Sequence, residues 1–367
     1  MKRFLTFITV LVLFTSLFLG CSLNEKEYKP GVVTILHVEE TSQISDNLVF
    51  NISFENFNTL PDKVDVYIEN SENPYKSDIS VQNGKITFPK PNIYAKTFYV
   101  KANNVESNHI DIDFVYSVDV DALSVFINSI PDYEIIKLQV TGKYNSFMNN
   151  IDLLKNENKK IDLDLSRIEK PLLVVSGFSK CTSLTKIILP YEITSIAARA
   201  FSGCSNLQSV VLPDGITVID DYAFRDCKCL TDIVLPDSLT KLGGDVFYYC
   251  ECLETISIPD NITSIGSSIF AGCTYLSNVK LPKTLSSIGS GWFQNCLSLE
   301  TIEIPNTVTS IGKYAFWKCE SLNNVVFQAT QNWKAGGIKL DEEELNDSAN
   351  AAILLRETYK EFSWTRM

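Results

Sequence analysis

Hydrophobic positions along this chain keep two distinct rhythms, and the stronger one has a period of 23 residues. Between Phe178 and Phe327 a phenylalanine returns at Phe178, Phe201, Phe224, Phe247, Phe270, Phe293 and Phe316. A cysteine follows three places after each, at Cys181, Cys204, Cys227, Cys250, Cys273, Cys296 and Cys319. The copies align as F-x-x-C-x-x-L-x-x-[IV]-x-[LI]-P-x-x-[ILV]-x-x-[IL]-x-x-x-A, as in FSGCSNLQSVVLPDGITVIDDYA from Phe201 to Ala223. One such unit cannot bury its apolar face alone, so the copies must stack as a solenoid. Within a copy Val210 and Leu212 alternate with period two and Pro213 stops the run, which marks a short strand. Ile216 and Ile219 lie in a second brief extended piece, and a helical turn is expected around Ala223 and Phe224. Stacking places equivalent strands about 4.8 Å apart, so the copies make a parallel sheet roughly 30 Å long.

The second rhythm is alternation with period two over residues 32–116. The runs VVTILHV, NLVFNISF, KVDVYIE, KITF, KTFYVKA and HIDIDFVY are separated by Asn, Asp, Pro, Ser and Gly. Short strands at this density predict a small antiparallel, immunoglobulin-like β-sandwich. The stretch contains no Cys and no Trp, so the antibody-type disulfide and tryptophan signature is missing.

Residues 117–176 read as an N-terminal cap for the solenoid, since a terminal unit must differ in order to cover an open apolar end. There Leu123, Phe126, Ile127 and Ile130 share a helical stripe, with Asp119 or Asp121 as N-cap and Pro131 beyond the end. Two further strands, IIKLQV and KIDLDLS, flank a short helix near residues 146–155. The repeats occupy residues 177–327. Residues 328–367 supply the C-terminal cap, with Trp333, Gly336 and Gly337 in a loop and SANAAILLRETYKEF helical, Ala352, Leu355 and Tyr359 on one face.

Residues 1–20 carry a different pattern: Lys2 and Arg3 precede an uncharged apolar run of 16 residues from Phe4 to Leu19. That is the form of an export signal, and the run is short for a membrane span. It ends in Leu17-Phe18-Leu19-Gly20-Cys21, which resembles a relaxed bacterial lipobox and implies lipidation at Cys21. A secretory signal with an incidental cysteine and an uncleaved anchor are the alternatives. Residues 21–31 are polar and serve as a tether. The expected site is the cell envelope, at the outer membrane and exposed on the surface. The formal charge of −12 argues against nucleic acid and anionic lipid headgroups as partners.

The 23-residue unit closely resembles the BspA-like subclass of leucine-rich repeats found in bacterial surface lipoproteins. The helix with LDLS before the array, and Asn332-Trp333 with YKEFSWTR after it, resemble the caps of that subclass. The resemblance implies a cell-surface adhesin that binds host extracellular matrix proteins or the surfaces of other bacteria.

Little in the chain asks for catalysis. The histidines are His37 and His109, both in predicted strands, and no P-loop, dinucleotide fingerprint or HExxH motif occurs. Carboxylates are scattered over variable repeat positions, with no pair set apart for acid/base work. No cofactor is called for. The cysteine column, flanked by Phe and Leu in every copy, reads as a ladder of reduced, buried thiols.

Departures from the period are therefore the informative places. Cys229 and Cys252 fill a position held by Ser183, Asn206, Tyr275, Ser298 and Ser321 in other copies. A disulfide between them, two free thiols, and a four-thiolate metal site with Cys227 and Cys250 are the competing arrangements, the last weakened by C-x-C spacing. Between the inward strand residues lie Ile188, Val211 and Val234, then Ser257, Lys280, Glu303 and Val326, and the first three form a contiguous apolar stripe. Such a stripe marks a partner surface or a face covered by the first domain or a cap. Thr194, Thr217, Thr240, Thr263, Ser286 and Thr309 form a hydroxyl ladder, accounted for by mutual hydrogen bonding and strand propensity. The leading reading is a non-enzymatic, lipid-anchored binding protein. The alternatives are a secreted glycan-binding or glycan-processing protein, which needs Tyr67, Tyr75, Tyr94 and Tyr99 to converge, and a structural envelope spacer.

Overall fold

The computed structural model describes residues 32–38, 47–55, 61–68, 74–83, 85–89, 97–102, 105–108, 110–111, 116–169 and 174–366. The expected export signal over residues 1–20, Cys21, the expected tether, Tyr94 and His109 lie outside the described residues, as does the side chain of His37. The chain divides into two units, Met1–Val115 and Tyr116–Met367.

In the first unit, strands Val32–Val38, Asn47–Glu55 and Lys85–Pro89 pair antiparallel in one sheet. Strands Lys76–Ser80, Lys63–Ile68 and Thr97–Ala102 pair antiparallel in a second, extended by Val105–Glu106 and Ile110–Asp111. Alternation puts Phe50 of one sheet and Phe98 of the other inward. Their rings meet edge to face at 6.0 Å, so the two sheets share one core. Lys76–Ser80 escaped the reading of the sequence because KSDIS has little apolar content, and the strand is an exposed edge.

The second unit is a three-sided solenoid. On its first side, strands Tyr116–Asp119, Ile135–Lys143, Lys160–Asp164, Leu184–Ile188, Ser209–Val211 and Asp232–Ile233 form one parallel ladder. The same place in later copies gives the parallel pairs Thr255–Ser257 with Asn278–Lys280 and Thr301–Ile304 with Asn324–Phe327. The sheet thus begins inside the N-terminal cap, and Tyr116, the end of the HIDIDFVY run, belongs to it. The second side is a ladder of two-residue strands, from Val174–Val175 through Val218–Ile219 to Ser264–Ile265, then Ser287–Ile288 with Ser310–Ile311.

The third side holds the helical turns, in broken form. Single turns close by bonds such as Ser202 N–H to the Arg199 carbonyl and Cys204 N–H to the Phe201 carbonyl. Left-handed residues interrupt them at Arg199, Tyr222, Asp245, Ser268, Gly291 and Tyr314, and again at Gly203, Asp226, Tyr249, Gly272, Asn295 and Lys318. These kinks free N–H groups to bond across coils. The N–H groups of Phe201, Phe224, Phe247, Phe270 and Phe293 donate to Ala223, Val246, Ile269, Trp292 and Ala315 at 2.8–3.0 Å.

Inside, the phenylalanines from Phe178 to Phe316 stack face on face at 5.1–5.7 Å, with interplanar angles of 2–20°. Phe147 of the cap extends this stack to Phe178 at 6.0 Å. Cys204, Cys227, Cys250, Cys273, Cys296 and Cys319 each donate the thiol to the phenylalanine carbonyl of the preceding coil, at 2.9–3.3 Å.

The caps close both ends. Helix Leu123–Ser129, preceded by a turn that Asp119 caps, buries Leu123, Phe126, Ile127 and Ile130. At the far end Trp364–Arg366 runs antiparallel to Ser310–Ile311, then pairs with Trp333–Ala335, which turns through Gly336 and Gly337 into Ile338–Lys339. Trp333 is therefore in a strand and not in the expected loop, because its ring is drawn into a cluster with Phe327 and Trp364 at 5.4–6.3 Å. The expected helix is Ser348–Ile353, capped by Asp347 and continued by a π turn over Leu354–Thr358, with helix Glu342–Asn346 before it.

Replacing Cys250 with Ala removes the donor to the buried Phe224 carbonyl and opens a small void, so Cys250→Ala should lower stability by about 1–3 kcal/mol. Urea unfolding followed by far-ultraviolet circular dichroism measures this, and an unchanged midpoint would show that the thiol bond contributes nothing.

Candidate interaction surface

Strand alternation sorts the first ladder into inward residues, among them Val210, Ile233 and Ile256, and two outward columns. One outward column is polar: Ser209 donates to Asp232 across the ladder at 3.1 Å, and Thr255, Asn278 and Thr301 follow in exposed positions. The other begins with the apolar stripe. Ile188 is half-buried, Val211 is 43% exposed and Val234 is 75% exposed. Ser257, Lys280 and Glu303 continue it, exposed, Gln328 bonds to Glu303, and Val326, paired with Glu303 and 43% exposed, ends it. Main-chain pairing holds Ile188 directly against Val211. Val234 follows one residue beyond the paired strand Asp232–Ile233, so the stripe runs from a half-buried, strand-held Ile188 to an exposed Val234 at the strand's end.

The hydroxyl ladder on the second side has a different use from the expected one. Thr217, Thr240, Thr263 and Thr309 donate to the main-chain carbonyls of Thr194, Thr217, Thr240 and Ser286 at 3.0–3.2 Å. The hydroxyls join coil to coil through the backbone and do not bond to one another.

The third side carries an arrangement that the sequence reading missed. The Arg199 guanidinium lies over the Tyr222 ring at 4.9 Å, and Arg225 lies over Tyr222 at 5.6 Å and over Tyr248 at 4.4 Å. Arg225 also pairs with Asp226 at 3.3 Å. Beside it, burial raises the Asp245 carboxyl above the usual range, against the pull of Arg225 and with the push of Asp221. The available signal was a lapse in small residues: the place after each phenylalanine is Ser179 and Ser202, then Arg225 and Tyr248.

The seven column thiols are buried and unbridged. Burial pushes Cys181 from the ordinary 9.0 to about 12 and Cys319 likewise to about 12, and raises the thiols between them. Cys229 and Cys252 differ: both are half-buried free thiols, and burial, with the neighbouring Cys229, raises the Cys252 thiol above its ordinary range. Among the described residues no group of three or more side chains is placed to hold a metal ion, and Cys227 and Cys250 are turned to carbonyls in the core.

In the first unit Tyr67 and Tyr99 do converge, but they stack on each other at 5.0 Å, and Tyr99 is only 8% exposed. Lys101 covers both rings at 4.7 and 5.4 Å and pairs with Glu106 at 3.2 Å. The rings thus spend their faces on one another and on the ammonium group.

The repeats match the BspA type leucine rich repeat region over residues 175–259 and 240–335, in six copies. No curated protein matches the chain. Among solved structures, the chain is similar to a leucine-rich-repeat protein of T. pallidum, at 32% identity over 44% of this chain and 78% of that one, with a TM-score of 0.41. A leucine-rich-repeat protein of Eubacterium ventriosum aligns at 17% identity over 68% and 98% of the two chains, with a TM-score of 0.34. A leucine-rich cell surface protein of Faecalibacterium prausnitzii aligns at 18% identity over 66% and 96%, with a TM-score of 0.24.

The raised thiol pKa values set a direction for alkaline unfolding. The folded state holds these groups protonated to higher pH than the unfolded chain does, so their contribution is complete below about 9 and is lost as pH rises toward 12. The urea midpoint should stay level from neutral pH to about 8 and fall progressively above about 9. A midpoint unchanged to about pH 11 would contradict dry burial of the column.

Proposed function

Because the array over residues 175–335 belongs to the BspA type of leucine-rich repeats, we propose that this chain is a binding protein without catalytic activity. Its solenoid offers the outward face of the first ladder to a protein partner, such as a matrix protein or the surface of another bacterium. The observation that carries this reading is the exposure of Val211 and Val234, 43% and 75%, in and just beyond neighbouring strands of the first ladder. Apolar side chains left in water on a polar-bordered ladder gain free energy when a partner covers them. The acidic surface, with a formal charge of −12, complements basic proteins and disfavours nucleic acid.

The apolar run before Cys21 and the polar tether after it support export and lipid anchoring at the envelope, with the outer membrane and surface exposure as the proposed destination. The column thiols and the phenylalanines are taken up by packing, which leaves them no part in chemistry. Among the described residues, Tyr67 and Tyr99 turn their faces to each other and to Lys101, an arrangement that does not favour the glycan-binding alternative.

The test uses the full mature chain, immobilised and presented with a panel of purified extracellular matrix proteins and whole bacteria. Val211→Asp combined with Val234→Asp should weaken the observed binding at least about tenfold, given two lost apolar contacts, with the circular dichroism spectrum unchanged. Undiminished binding by the double variant would remove the stripe from the interface. A chain that binds nothing across the panel would leave the spacer reading in its place.

A further inference from the structure

The fifth place after each phenylalanine is where side chains reach back to the coil before. Ser183 donates to the Leu154 carbonyl at 2.7 Å and Asn206 to the Thr182 carbonyl at 2.6 Å. Only in two neighbouring copies is this place cysteine, so stacking sets Cys252 one coil after Cys229 in the same column. Their coils are already fastened alongside: the Cys252 N–H donates to the Lys228 carbonyl at 2.9 Å, and Lys228 pairs with Glu251 at 2.9 Å. Adjacent coils are about 4.8 Å apart, inside the roughly 4.4–6.8 Å span of Cα atoms that a disulfide bridges.

We propose that Cys229 and Cys252 are oxidised to a disulfide that stitches the third coil of the array to the fourth, while the other thiols of the solenoid stay reduced. The oxidant is a disulfide, either a low-molecular-weight one or that of an oxidoreductase. The Cys229 thiolate attacks it, breaking its S–S bond, forming a mixed disulfide and expelling one thiolate. The Cys252 thiolate then attacks the Cys229 sulfur, forms the new S–S bond and releases the second thiolate. Two electrons pass from the two cysteines to the oxidising disulfide, which is reduced to two thiols, and the two protons leave the cysteine thiols for solvent and the expelled thiolates.

Selectivity follows from access. The column thiols are sealed in the core, each from Cys204 to Cys319 already donating to a carbonyl, and a thiol there can neither ionise nor meet the oxidant. Cys229 and Cys252 are half-exposed, so the oxidant can reach them. A solenoid is held by nearest-neighbour contacts, so its middle opens wherever one interface parts. A bond across the Phe224 and Phe247 coils removes that route. The disulfide forms within the chain alone, whatever the stripe binds.

The test is incubation of the folded full chain with oxidised glutathione at about pH 8, near the ordinary thiol range. Unfolding without reductant, alkylation and peptide mapping by mass follow. The expected result is a cross-linked peptide pair containing Cys229 and Cys252, with every other cysteine of the solenoid alkylated. The oxidised chain should melt about 5–10 °C above the reduced one. Cys229→Ser, which places the residue that copies such as Ser298 use, keeps the fold, should lose that rise and leave Cys252 with a single glutathione. Alkylation of both Cys229 and Cys252, glutathione on both, or a cross-link within the buried column would each overturn the proposal.

Discussion

Coil-to-coil hydrogen bonding of the main chain is the requirement from which the rest of this solenoid follows. On the two strand sides it is met by parallel pairing, and on the third side by N–H groups that left-handed kinks release from local turns. Any change in copy length would put one of the three sides out of step. The invariant spacing of 23 residues is thus a condition on the backbone before it is one on side chains. The phenylalanine stack profits from that regularity, since equivalent rings arrive one coil apart at near-stacking distance.

The cysteine column is best understood from the carbonyl it serves. The Phe201 carbonyl receives the Cys204 N–H of its own coil at 3.1 Å and the Cys227 thiol of the next at 3.2 Å. A carbonyl in so dry a place needs its second lone pair met, yet the volume beside it is small and apolar. A thiol satisfies both demands, being a compact hydrophobe with a weak donor, whereas a hydroxyl is costlier to desolvate and alanine offers no hydrogen.

Much of this was legible in the sequence because repetition turns weak signals into strong ones. A single Val210–Leu212 pair says little, but its recurrence with Phe, Cys, Leu and Pro at fixed offsets leaves one architecture. The cap helix was readable from Leu123, Phe126, Ile127 and Ile130. What escaped was decided by contacts distant in sequence. Trp333 lies in a strand because Trp364 comes back to meet it, and Lys76–Ser80 is held by a neighbouring strand with little apolar content of its own. The left-handed positions were hidden for another reason. Residues as different as Arg199, Asp245 and Tyr314 fill them, so a backbone demand left no mark on composition. The Arg199, Tyr222, Arg225 and Tyr248 arrangement was hidden in the same way, since stacking brings together residues that the linear text keeps a copy apart.

The last rung has a meaning for assembly. Up to Ser310–Ile311 every strand of the second ladder runs in one direction, and an end in that direction would invite the first coil of another molecule to dock and extend it. Trp364–Arg366 reverses the polarity, and the sheet then finishes on Ile338–Lys339, two residues long and ending in a charge. A growing fibre would need a parallel template and finds an antiparallel stub. The array can lengthen by gaining copies between Val174–Val175 and Ser310–Ile311, one coil at a time, and the reversed rung of Trp364–Arg366 would still follow the last of them.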